Sequence, residues 1–428
     1  MMLMNLVNSR FNILLAISAA VLLITSPPAR AEEKFRLKPG ASGKICFTCH
    51  AAFEEKMKNP FVHTPVKKGD CTGCHNPHAS SHGKLLSTGA DKICAKCHKS
   101  MIPANARSVH ADVASGNCTK CHDVHSSKNK ANLLKAGNEL CFGCHKTMGE
   151  TLAKIKFRHN PVEKGCITCH NPHASASAEH LLIDSPLVLC LKCHKSDSPT
   201  FTRLHMNYPV AKGNCASCHD VHGSDKGALL YTNSHSPVAN KLCNQCHEDP
   251  GSATPFKTKK KGFELCRGCH NDMVNDTLNR KNMHWPLLGK DGCMSCHAPH
   301  GSKEGKLIKG SLVSVCGKCH ADTMERLAKS PAKHKPIQEG NCMACHEPHS
   351  SDFAYLGRKQ SIELCGSCHN WKSHTSHPLG DDAIDKRNKN LRVECLSCHR
   401  SHGTEFKKLL PFKSSTDLCN ECHKEHRR

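Results

Sequence analysis

Apolar residues in this chain are scattered in ones and twos, with one exception near its start. Phe11 to Ile24 is apolar almost throughout, and no later run is long enough to cross a bilayer. Apolar–polar alternation, the mark of a half-buried strand, does not persist over a useful length anywhere. The pattern therefore predicts helices of one to three turns joined by loops, of which Asp272–Lys281 and Ala321–Lys329 are the clearest. It offers no stretch from which a conventional core could be assembled.

One kind of apolar position does recur. Ile45, Ile93, Leu140, Leu189, Leu242, Leu265, Val315, Leu364 and Leu418 each stand immediately before a cysteine. At seven comparable places the residue is polar or glycine: Asp70, Asn117, Gly165, Asn214, Gly292, Asn341 and Glu394. All sixteen positions open the string C-x-x-C-H. The cysteine pairs are Cys46 and Cys49, Cys71 and Cys74, Cys94 and Cys97, Cys118 and Cys121, Cys141 and Cys144, Cys166 and Cys169, Cys190 and Cys193, and Cys215 and Cys218. They continue with Cys243 and Cys246, Cys266 and Cys269, Cys293 and Cys296, Cys316 and Cys319, Cys342 and Cys345, Cys365 and Cys368, Cys395 and Cys398, and Cys419 and Cys422. The histidines that close the strings are His50, His75, His98, His122, His145, His170, His194, His219, His247, His270, His297, His320, His346, His369, His399 and His423.

This string is the covalent attachment site of c-type haem. Two thiols three residues apart form thioethers to one porphyrin, and the adjoining imidazole reaches the iron as an axial ligand. Zinc sites also use C-x-x-C, but have no reason to place histidine directly after the second cysteine. A disulfide scaffold explains neither the fixed gap nor the histidine. All 32 cysteines are used, so none remains for a bridge, a lipid anchor or a nucleophile. Sixteen covalently bound haem c groups are expected.

The motifs with a polar or glycine lead share a second feature. Each has another histidine three residues after its haem histidine: His78, His125, His173, His222, His300, His349 and His402, usually in a stretch like Asn76-Pro77-His78-Ala79-Ser80. Alternation of the two motif types makes a two-haem repeat of about 47–50 residues, and such a period implies a stacked array. The alternation breaks once, where the ninth and tenth motifs both have the aliphatic lead. Asp249-Pro250-Gly251-Ser252-Ala253-Thr254-Pro255 and then Lys259-Lys260-Lys261 lie between them. Residues 1–31 are expected to be an export signal, 32–248 a nine-haem module, 249–262 a linker and 263–428 a seven-haem module.

Nineteen histidines lie outside the motifs, against a demand of sixteen for full bis-histidine coordination. The seven plus-three histidines are candidates. They cannot bind the same iron as their neighbour, because axial ligands approach opposite porphyrin faces. A second set precedes the polar-lead motifs by seven to ten residues: His63, His110, His159, His205, His284 and His334. His377 (or His374) fills that slot before Cys395, and His235 and His426 complete the set, leaving His82, His180 and the unused one of His374 and His377 over. Methionine ligation by Met57, Met148 or Met273 is not needed with histidine in surplus.

Composition fits a cofactor-built interior. Only 18 aromatic residues (13 Phe, 3 Tyr, 2 Trp) serve 428 positions. The expected fold is short α-helices and loops wrapped around a haem array, with little or no β-sheet. Arg10, the apolar stretch and Ala29-Arg30-Ala31 have the layout of a cleavable secretory signal. The formal charge of +23 would ordinarily suggest a polyanion. Signal removal leaves about +21, and about 32 propionates and 16 ferric centres bring the holoprotein to about +5 oxidised and about −11 reduced. Nucleic-acid binding is therefore not expected, and a weakly charged surface for transient redox partners is.

The repeat His63…Cys71-Thr72-Gly73-Cys74-His75-Asn76-Pro77-His78…Cys94-Ala95-Lys96-Cys97-His98 resembles the doubled-CXXCH multihaem cytochromes. That group includes decahaem cytochromes of metal-reducing bacteria and small periplasmic donors to nitrite reductase. The resemblance covers nearly all of 45–423. It implies periplasmic or trans-envelope electron transfer through bis-histidine haems, between an inner-membrane quinol oxidase or small cytochrome and an outer-membrane or extracellular acceptor. Two other functions are compatible with these motifs. One is a multihaem reductase of a small oxidised nitrogen or sulfur compound or a soluble metal, which needs one open haem. The other is a filament-forming extracellular cytochrome.

Overall fold

The computed structural model describes residues 42–373 and 377–424. The segment read as an export signal, and also His374 and His426, lie outside the described residues.

Regular structure comes in short pieces, as the scattered apolar residues require. Among the described residues the longest helices are Lys146–Lys154, Asn271–Asn279 and Ala321–Lys329, nine residues each. The last coincides with the segment expected from sequence, and the one expected at 272–281 begins one residue earlier and ends two sooner. Among the same residues β-structure consists of seven two-stranded antiparallel ladders, nearly all of two-residue strands. The architecture is thus short α-helices, 3₁₀ turns and loops with only minor sheet, which is the fold class expected of a chain wrapped around haems.

Six of the ladders follow one rule. The two residues before an upstream histidine pair with the two after a plus-three histidine roughly one repeat further on. Phe61–Val62 pairs with Ser126–Ser127, and Ser108–Val109 with Ala174–Ser175. Phe157–Arg158 pairs with Gly223–Ser224, and Asn233–Ser234 with Gly301–Ser302. Asn282–Met283 pairs with Ser350–Ser351, and Ala332–Lys333 with Gly403–Thr404. A ladder this short has no independent stability, so other contacts must hold it. One is close backbone approach. A Cβ at Gly223 would meet the Phe157 carbonyl at 2.7 Å, and the residue's φ of +151° also favours glycine.

Buried serines supply the other. Ser127 Oγ donates to the Leu133 carbonyl at 2.5 Å, Ser175 to Leu182, Ser224 to Leu230 and Ser351 to Gly357, all at 2.5 Å. Ser80 and Ser302 make the same bond to Leu86 and Ile308. Each hydroxyl also accepts a backbone N–H two residues on, so it clasps both sides of one loop.

Among the described residues only seven hydrophobic side chains are buried: Leu152, Ala174, Ala178, Tyr208, Val274, Ala383 and Val393. Twenty-five large hydrophobic side chains are exposed, including Trp285 at 65% and Tyr355 at 84%. At about 25 cal/mol per Å² of apolar surface, so few buried groups cannot offset the entropy of ordering a chain of this length.

Two compact units are distinguished. One comprises the described residues up to Lys146 together with His170–Leu182, and holds the first five motifs. The other comprises Thr147–Cys169 and Ile183 onward, and holds the seventh to sixteenth. The division does not fall at 249–262. That segment, expected as a linker, turns back on the ninth motif. Glu248 N–H donates to Lys257 O at 2.9 Å, Lys259 N–H to Cys246 O at 2.9 Å, and Lys259 Nζ to Asn244 O at 2.6 Å. Among the described residues no helix is long and apolar enough to cross a membrane.

Candidate haem-binding sites

Each motif is built on a single tight turn. In the second, Cys71 O accepts N–H bonds from Cys74 at 3.3 Å and His75 at 3.0 Å, and the same pair of bonds recurs with little change, from Cys46 O to Cys419 O. One turn puts both thiols on one side of the backbone, with the imidazole directly after. Local sequence alone is enough to set this up.

Eight motif histidines are then oriented by the loop that follows. Nδ1–H donates to a carbonyl nine or ten residues on: His75 to Lys84 and His122 to Ala131 (2.9 Å each), His170 to His180 (2.8 Å) and His219 to Ala228 (2.7 Å). His247 donates to Phe256 (2.9 Å), His297 to Lys306 (2.8 Å), and His346 to Tyr355 and His399 to Lys408 (2.9 Å each). With Nδ1 engaged, Nε2 is the nitrogen left for a metal. Except for Phe256, the accepting residue and its successor are both left-handed, as in Lys306 (φ +57°) and Leu307 (φ +58°). Non-glycine residues there cost about 1–2 kcal/mol apiece. The imidazole bond on one side and the serine clasp on the other hold the loop in that shape.

The ninth motif belongs to this set, although its lead residue is Leu242. His247 also bridges to Thr258, as His219 does to Leu230. The lead residue therefore misassigned it, and the loop after the motif is the better discriminator.

The distal candidates meet motif histidines in twos. Thirteen pairs of imidazoles have ring centres 5.8–6.3 Å apart, and in every one a motif histidine faces a non-motif histidine. Upstream histidines face the second motif of their own repeat: His63 with His98, His110 with His145, His159 with His194, His235 with His270, His284 with His320, and His334 with His369. Plus-three histidines face the first motif of the repeat before: His125 with His75, His173 with His122, His300 with His247, His349 with His297, and His402 with His346. His377 likewise faces His423, the second motif of its own repeat, from further upstream, and one pair departs from both rules, His205 with His219.

Ring stacking alone does not select one histidine of each kind thirteen times. Metal–imidazole bonds of about 2.0–2.1 Å on each side, plus about 1.1 Å from nitrogen to ring centre, give about 6.3 Å. The rings are thus spaced as two axial ligands of one iron require. The ladders set two non-motif histidines side by side. His63 N–H donates to His125 O at 2.9 Å, His110 to His173 at 3.0 Å and His284 to His349 at 2.9 Å, so one ladder presents a histidine to each motif of a repeat. Burial holds the imidazoles of His125, His173, His284, His300, His334, His349 and His402 below their ordinary pKa, which keeps them neutral and able to bind metal.

His170 and His399 donate through Nδ1 to the loops behind their motifs, and the His222 N–H donates to the Asp220 carboxylate. Among the described residues no histidine ring lies against His50, His78, His82 or His180. His78 is the only exposed member of the plus-three set; the other six are half-buried.

The thiols also form a series. First cysteines of consecutive motifs come within S–H···S reach: Cys46 and Cys71, Cys94 and Cys118, Cys190 and Cys215, Cys266 and Cys293, Cys316 and Cys342, Cys365 and Cys395. Burial first, then the neighbouring sulfur, pushes Cys190 and Cys316 up to about 11. In the Cys266–Cys293 pair the shared proton raises Cys266 and lowers Cys293. Second cysteines lie near one another at the alternate junctions, as in Cys74 with Cys97 and Cys296 with Cys319. At the eighth motif the pattern changes, and Cys218 neighbours Cys243. Among the described residues no three His, Cys, Asp or Glu side chains gather as ligands of a bare metal ion.

The paired imidazoles, the one-turn thiol pairs and the near-absence of a polypeptide core all fit haem c. The buried serines went unnoticed in the sequence although each lies two residues after a plus-three histidine, because a small hydroxyl carries no chemical signature.

No curated protein gives a significant match to the chain. The family model described as the doubled CXXCH motif matches eight times, over 63–102, 110–150, 159–199, 207–234, 235–275, 284–325, 334–374 and 389–428. One match spans the ninth and tenth motifs, the pair that the loop geometry also joins. The match over 207–234 holds the eighth motif alone, and the first motif precedes them all. Repeats of the doubled CXXCH motif over most of the chain show that it belongs to the doubled-CXXCH multihaem c-type cytochromes, which bind haem c covalently and transfer electrons.

Proposed function

We propose that the chain carries sixteen haems and serves as an electron conduit, with iron held low-spin between two histidines along most of its length. The thirteen imidazole pairs carry this reading. An iron closed on both faces has no site for substrate and changes valence with little rearrangement. Within each compact unit the cysteines of consecutive motifs are neighbours, so porphyrins attached to them would lie edge to edge and electrons could pass from each to the next. Reduced donors at one end and an oxidised acceptor at the other are the partners such a conduit needs. Export through residues 1–31 would place it in the periplasm or at the cell exterior, against an inner-membrane quinol oxidase or small cytochrome as donor. A surface of low net charge suits brief contacts with such partners.

Intact mass of the mature holoprotein should show sixteen bound haems. Near-infrared magnetic circular dichroism should show bis-imidazole coordination for at least thirteen. A much lower count by either method overturns the reading.

A further inference from the structure

The rules that supply ligands elsewhere in the chain leave the first motif without one. A second-of-repeat motif faces a histidine 35 or 36 residues earlier, as His98 does His63, His145 does His110 and His320 does His284, or 46 residues earlier in His423 with His377. The corresponding position for His50 is Leu15, and residues 1–49 contain no histidine. A first-of-repeat motif takes a plus-three histidine from 50 to 56 residues later, as His75 does from His125 and His346 from His402. No histidine occupies positions 100–106.

The nearest spare histidine, His78, is not brought to the site. Its counterparts His125, His173, His222, His300, His349 and His402 each sit beside a ladder strand. Residues 79–80 form none, and His78, like His50, is exposed. His82 is exposed as well.

The first motif is nonetheless firmly built into its unit. The Phe53 ring meets His125 edge-on at 4.6 Å, and Ser126 Oγ donates to Lys56 O at 2.7 Å. Asn59 Nδ2 donates to Ser126 Oγ at 3.0 Å, and Lys56 pairs with Asp123 at 3.6 Å. Cys46 adjoins Cys71, so a porphyrin on the first motif would border the one on the second.

We propose that the haem of Cys46, Cys49 and His50 has an exchangeable sixth position, a binding site for small σ-donor ligands such as cyanide in the oxidised state and carbon monoxide in the reduced state. Water is the resting ligand and leaves when the donor binds. This rests on the multihaem reading above and adds to it one terminal haem that binds ligand while the rest of the array carries electrons to it.

The test uses purified holoprotein whose mass has already established sixteen haems, so that a failure of the multihaem reading would be seen first. Oxidised protein should give a high-spin ferric signal of one equivalent per chain. Reduced protein should bind one equivalent of carbon monoxide. The C46A/C49A variant should have one haem fewer by mass and should lose both signals. A second variant, H50M, should shift the C–O stretch in the infrared, because it changes the group opposite the ligand. The proposal is overturned if sixteen-haem protein binds no carbon monoxide, or if binding survives C46A/C49A. It is equally overturned if H50M leaves the stretch unmoved. Carbon monoxide binding that appears only after His78→Ala would show His78 to be the sixth ligand, and would also overturn it.

Discussion

Between residues 284 and 349, the first motif histidine of a repeat faces a histidine of the repeat that follows; between 199 and 219, the two facing histidines share one short stretch of chain. His297 faces His349, which lies 52 residues later and beside a ladder whose other strand carries His284. His219 faces His205, which ends the helix Pro199–Leu204 and is followed by left-handed Met206 and Asn207. The cause can be read three residues past the ninth motif. Every other motif of that structural class has histidine there, but the ninth has Pro250. With no plus-three histidine offered by the next repeat, His219 is faced from its own side. The comparison teaches that the repeat is a supply rule: a donor position one repeat ahead decides where a ligand must otherwise be found.

The largest expected effect comes from removing either ligand. His349→Ala and His205→Ala should each convert one haem to high spin, read by EPR of oxidised protein, with the other haems unchanged. Adding Pro250→His to His205→Ala sharpens the contrast. If donation depends on position, the double variant should recover much of the low-spin signal. A double variant that stays high-spin would show that the 249–262 loop cannot deliver a ligand, and the explanation through Pro250 would fail.

A smaller effect separates the ways the two stretches are braced. Ser351 is 3% exposed, and its hydroxyl joins Gly357 O to Phe353 N–H. Ser351→Ala should cost about 1–3 kcal/mol, since it leaves buried backbone groups unbonded. Ser198 instead caps its helix, accepting the Phe201 N–H at 3.2 Å. Ser198→Ala should cost about 0.5–2 kcal/mol. Thermal unfolding of both variants measures the difference.

The C-terminal repeat keeps the upstream rule over a longer stretch of chain, with His377 facing His423. Asp385 and Arg387 brace it, with contacts at 2.6 and 2.9 Å. The guanidinium holds the Asp385 carboxyl down at about 2, against an ordinary 3.8. A depressed carboxyl stabilises the fold above its unfolded pKa and loses that contribution as pH falls through the folded one. Acid unfolding should therefore gain stability between pH 4 and 2 relative to wild type in Asp385→Asn, a difference of about 2 kcal/mol at most. Equal acid profiles would remove Asp385 from the account.

The smallest effect is spectroscopic. The imidazole planes of His205 and His219 cross at 64°, and those of His297 and His349 at 31°. Crossed planes leave two iron d orbitals nearly degenerate, so the eighth haem should contribute a low-spin signal with a larger maximum g. That signal should weaken in His205→Ala, leaving the share of the other crossed pairs, His110 with His145 at 73° and His377 with His423 at 65°, and should be unchanged in His349→Ala.

Much was decided by sequence alone, and all of it is local. Two thiols and an imidazole within five residues form on one turn whatever surrounds them, so every attachment site could be read directly. The plus-three histidines, the two-haem period and the scarcity of helix and strand were equally plain. Which imidazole faces which was decided only in three dimensions, because a pair such as His75 and His125 is joined by ladders and loops from separate repeats. The same holds for the ninth motif, whose class is set by the loop behind it, and for the serines, whose hydroxyls matter only once a loop has closed over them. Covalent attachment depends on neighbours in sequence, whereas axial closure depends on neighbours in space.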